Sequence, residues 1–93
     1  MKPKKEIEDV TAFLDQLVDE YVELMVEQTK ILILNEQEEN YEQCAMTKAY
    51  MQMVSENVAT TIADMSGVEY ELSIKRLEQN QKYIYNSLIE NQD

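Results

Sequence analysis

The chain has 93 residues, 19 acidic against 8 basic side chains, and a formal net charge of −11. A single Gly and a single Pro leave no supply of the turn residues that sheets and hairpins need, which excludes all-β and α/β architectures. The negative field excludes nonspecific affinity for nucleic acid or anionic lipid and favours a protein partner with a basic surface.

A chain this short buries only a little over ~60% of its unfolded surface, so one small helical domain over residues 1–93 is expected. Its one cysteine, Cys44, cannot close an internal disulfide, and its start carries no secretory apolar stretch. The longest apolar run, Ile31 to Leu34, is far short of the ~20 residues of a membrane span. A cytoplasmic protein with no membrane association is the expectation.

Residues 1–5 are basic, hold the only proline, and read as a disordered tail. The first helix is expected over about 6–35. Ile7, Val10, Leu14, Leu17, Tyr21, Leu24 and Ile31 recur alternately three and four apart, with Gln28 out of character. That is a heptad seam of coiled-coil type. Val18, Met25 and Leu32 at the adjoining e positions widen the apolar face, and Glu6, Glu8, Asp9, Asp15, Asp19, Glu20, Glu23 and Glu27 lie outside it, as on a helix lying against a core. From Tyr21 onward Val22, Val26 and Ile33 add apolar character at outward heptad positions, and Leu34 adds more beside them. A helix apolar on more than one face sits between two neighbours or meets another chain. Val22, Val26, Ile33 and Leu34 are therefore the candidate oligomer or partner interface, and a homodimer is expected.

Asn35–Asn40 has nothing to bury, and the apolar phase breaks across it, so the chain turns there. A second helix is expected over about 41–65, with Cys44, Met51, Val54, Val58, Thr61, Ile62 and Met65 on one stripe. Gly67 suits the left-handed position that closes a helix. Ser66 and Glu69 have the spacing of a capping box. A third helix is expected over about 68–90, carrying Tyr70, Ile74, Leu77, Ile84 and Leu88 on one side. The fold class that follows is all-α, a three-helix antiparallel bundle made of a long helical hairpin and a third helix, self-associating.

The acids are unevenly spread: residues 6–42 hold twelve against one base, Lys30. Asp15, Asp19, Glu23 and Glu27 form a four-spaced ladder with Glu20 beside it. Like charges at that spacing repel by ~0.2–0.5 kcal/mol per pair, a cost that a binding role explains and a solubilising role tolerates. Asp15, Asp19, Glu20, Glu23 and Glu27 are the candidate partner-binding face.

Catalytic sites, metal sites and cofactors are not expected. Histidine is absent, which removes the Glu-x-x-His pairs of di-metal bundles and any base that would activate Cys44. All-helical nucleotide pyrophosphohydrolases hold magnesium with Glu-x-x-Glu on one helix and Glu-x-x-Asp on the next. Glu36 with Glu39, or Glu39 with Glu42, matches the first half, but Thr61 stands where the second needs an acid beside Asp64. The expected function is non-catalytic: an acidic adaptor, chaperone or regulator that occupies a partner's surface. The alternative is a nucleic-acid-mimic inhibitor of a DNA- or RNA-binding protein, of the anti-host or anti-defence type that phages use. The magnesium-dependent enzyme is the third reading.

Overall fold

The computed structural model describes residues 4–91, with side chains from residue 8 onward. Three helices follow one another: α1 (Lys4–Gln37), α2 (Tyr41–Ser66) and α3 (Tyr70–Glu90). Each packs on both of the others, giving an all-α three-helix bundle. Residues 1–3 of the expected tail lie outside the described residues, whereas Lys4 and Lys5 already belong to α1.

At 1.5 Å per residue α1 is roughly 51 Å long and α2 roughly 39 Å. Joined by a tight turn, the two cannot match in length, and the start of α1 runs past the end of α2. The molecule is accordingly drawn out to 55 × 24 × 16 Å, with a radius of gyration of 15.6 Å against about 12 Å for a compact domain of this length.

The turn between α1 and α2 is closed by a Schellman motif. Asn40 N–H donates to Asn35 C=O (2.8 Å) and Glu39 N–H to Glu36 C=O (3.2 Å), which satisfies carbonyls that the helix end would otherwise strand. The residue in the left-handed position is Glu39, with φ of 59°. Glycine takes this place most readily, since a Cβ there is crowded. Gly67 does so at the end of α2, with φ of 76° and its N–H on Ala63 C=O. The expected capping box of Ser66 and Glu69 does not form. Ser66 remains in α2, where its hydroxyl bonds the Ile62 carbonyl and accepts from Val68 N–H. As a result α3 starts at Tyr70, two residues later than the spacing predicts.

The core is built from Tyr21, Met25 and Leu32 of α1, Cys44, Met51, Val58 and Ala59 of α2, and Leu77 and Ile84 of α3. On α2 and α3 this is the expected stripe, although Met65 and Tyr70 stand partly in solvent. On α1 it differs. Burial runs Tyr21, Met25, Thr29, Leu32, with spacings of four, four and three: Met25 and Leu32 lie in the core as the expected stripe has them, whereas Ile31 is 45% exposed and Thr29 is an addition. A straight helix repeats every 3.6 residues and drifts ~20° per heptad from a 3.5-residue seam. By the third heptad that drift has turned Ile31 out of the buried line.

A polar layer crosses this core. Tyr21 and Ser55 share a 2.7 Å hydrogen bond, Ser55 Oγ donates to Met51 C=O at 2.8 Å, and Gln81 Nε2 donates to Tyr21 at 2.9 Å and also to Ser55. One residue from each helix thus takes part. Cys44 is buried, its thiol directed at the Leu32 carbonyl, 3.9 Å away.

Candidate protein-binding face

The five acids of the candidate face, Asp15, Asp19, Glu20, Glu23 and Glu27, are all exposed. Their spacing places them on the side of α1 turned from the core, because the buried line passes through Tyr21, Met25 and Leu32. Gln16 Nε2 donates to Glu20 Oε1 at 3.2 Å across one helical turn. The face is therefore water-facing and negatively charged along about three turns of α1.

The four apolar candidates do not stay together. Ile33 is buried, 5% exposed, and borders a shallow groove with Leu88 of α3. Val22 and Val26 are half-buried and packed against the core. Leu34 is 54% exposed. Of the two explanations for a helix apolar all round, burial between two neighbours holds for Ile33 and largely for Val22 and Val26. Leu34 alone of the four stands mostly open.

Another part of the seam is only partly covered. Phe13, Leu17, Leu24 and Ile31 share one edge of α1, with Glu20 and Glu27 at the interleaved heptad positions. Phe13 is 49% exposed and Ile31 45%, while Leu17 and Leu24 are half-buried. Leu17, Glu20, Tyr21 and Leu24 form one wall of a groove of about 180 Å³, and Val54 and Val58 of α2 form the other; α3 contributes nothing to it. Tyr50, one turn before Val54 on α2, is 41% exposed. Of the seam residues expected in the core, Leu17 and Leu24 do pack against it, Ile31 does not, and Phe13 lies off the expected stripe. The usable signal was the second apolar face of Val22, Val26 and Ile33. A helix whose far side is claimed by α3 has its near edge left over.

The bundle also holds a cavity of about 330 Å³ between all three helices, floored by Thr29, Leu32 and Met51, with Lys48, Glu78 and Lys82 among its lining. Thr29 is fully buried and its hydroxyl has no hydrogen-bond partner among the described residues. Beside this cavity Tyr85 donates to Glu36 Oε1 at 3.0 Å. Burial, then the hydrogen bond and charge of Glu36, push the Tyr85 pKa above its ordinary value. Glu36 is thus engaged with Tyr85 and Glu39 with the backbone turn. Among the described residues no three acidic or sulfur side chains converge to hold a metal ion, and no helix is long and apolar enough to cross a membrane. The chain matches no family model, no curated protein and no solved structure.

Proposed function

We propose that this chain is a non-catalytic binding protein, an adaptor or regulator that works by occupying the surface of a basic partner protein. The observation that carries the reading is the adjacency on α1 of five exposed acids and a partly covered apolar edge. Apolar contacts would supply most of the binding energy, and the acids would orient the encounter and speed it.

Imitation of a nucleic-acid backbone fits less well. Four ladder acids over twelve residues span roughly 18 Å of helix, far sparser than a phosphate charge every ~1.7 Å of duplex axis. The test is capture from the native cell extract with the wild type and with Glu20→Lys/Glu23→Lys/Glu27→Lys, both checked for equal helix content. Loss of the captured protein in the variant supports the reading. Equal capture by both refutes it, and displacement of the captured protein by added DNA or RNA would establish the mimic instead.

A further inference from the structure

We infer that the α1–α2 groove is the seat of a fourth helix, a basic amphipathic helix supplied by the partner; this rests on the binding reading above. In the bundle α3 lies on the Thr29 and Ile33 side of α1, since Gln81 and Tyr85 share a cavity with Thr29, and Leu88 shares a groove with Ile33. The opposite edge of the α1–α2 hairpin has no helix over it among the described residues, and its groove is walled by α1 and α2 alone.

The line at 13, 17, 20, 24, 27 and 31, half-buried at Leu17 and Leu24 and exposed at the other four, alternates steps of four and three. It is a heptad seam from residue 13 to residue 31, roughly 27 Å long. Such a seam accepts another helix along its length. A loop or flat surface would leave part of it wet.

The character of the occupant follows from the two positions that are not apolar. Glu20 and Glu27 interrupt the line, with Asp19 and Glu23 beside them, and Lys30 is the only base between residues 6 and 42. A helix seated there meets carboxylates one heptad apart, so it must carry Lys or Arg at matching intervals between its apolar residues. A second copy of this chain would bring the same acids against themselves, each copy carrying a formal charge of −11, and like charges so placed oppose the pairing.

The probe is a 21-residue peptide of Leu and Lys with Leu at heptad positions a and d, compared with a scrambled peptide of the same composition. Titrated by fluorescence anisotropy into the full chain, the patterned peptide should bind saturably at one to one, at least tenfold tighter than the scrambled one. Phe13→Gln/Ile31→Gln, at positions about half exposed, should weaken it at least tenfold without altering the thermal unfolding of the bundle. Glu20→Gln/Glu27→Gln should weaken it and flatten its dependence on salt. Glu38→Gln/Glu42→Gln removes the same charge beside the α1–α2 turn and should change it less than twofold.

Equal binding of the scrambled peptide overturns the inference, as does indifference to the Phe13 and Ile31 changes. So does sedimentation of the wild type as a dimer that those changes dissociate, because the seam then holds a second copy. If the groove fails in these ways while the lysine variant still loses its extract partner, the acids bind elsewhere and the binding reading stands without the fourth helix.

Discussion

The hydroxyl of Tyr21 lies 2.7 Å from that of Ser55, 34 residues away in sequence and on the neighbouring helix. Gln81 of α3 donates to both, so the pair ties all three helices at one level. In a core of adaptable Met and aliphatic side chains, apolar contact alone tolerates a slipped helix. A hydrogen-bonded layer penalises the slip, since each of its members would be buried without a partner.

Tyr21→Phe should therefore destabilise the bundle by about 1 kcal/mol, the usual net worth of one such bond. Ser55 keeps the Met51 carbonyl and Gln81 keeps Ser55, so the loss stays at that level. Urea unfolding of Tyr21→Phe, Gln81→Ala and the double variant should give a coupling energy of ~0.5 kcal/mol or more. Strict additivity would show that the layer does not act as a unit.

Glu39→Gly should stabilise. The left-handed backbone at Glu39 costs a residue with a Cβ roughly 1–2 kcal/mol, and glycine adopts it freely. Glycine's greater freedom in the unfolded chain takes back part of the gain. A net gain of about 0.5–1 kcal/mol corresponds to a rise in Tm of roughly 2–8 °C for a domain of this size, readable by circular dichroism. A lower Tm would mean that the Glu39 carboxylate contributes more than its backbone geometry costs.

Thr29→Val should also stabilise, by about 1 kcal/mol, because it replaces a buried unpaired hydroxyl by a methyl of the same shape. Thr60 and Thr61 bond the carbonyls one turn back at 2.9 and 3.0 Å, and valine at those two positions should bring no such gain. Comparison of the three variants by chemical denaturation checks the point.

At high pH the Tyr85–Glu36 contact should set one tyrosine apart. The folded-state pKa of Tyr85 is raised above 10.0. Its contribution to stability is complete below the unfolded value and is lost as pH climbs through the folded one. Difference ultraviolet titration of the wild type against Tyr85→Phe should isolate a late ionisation, which Glu36→Gln shifts downward.

Much of this fold was legible in the sequence. The polar window 35–40 contains the first turn, Gly67 closes α2 as its type demands, and the stripes through Met51 and Leu77 are the core of α2 and α3. On α1 the expected face holds at Tyr21, Met25 and Leu32 and fails at Ile31, because a pattern counted in sevens drifts on an uncurved helix that advances at 3.6. Glu39 gave no sign of its left-handed backbone, since the turn's own hydrogen bonds to Asn35 and Glu36, not residue preference, hold it there. The site was half visible. The acid row could be read directly because charge at the surface needs no partner to be recognised. Which apolar edge α3 leaves bare depended on the side to which the third helix folds back, and no local pattern encodes that choice.

Cys44 gives the molecule its own clock. A lone thiol enclosed between α1 and α2 is inert to a bulky disulfide reagent while the hairpin is shut, and it reacts each time the hairpin swings apart. Labelling kinetics would thus count those openings in the unmodified chain, and a helix seated in the groove farther along the same two helices would slow the count in proportion to how firmly it clamps the pair.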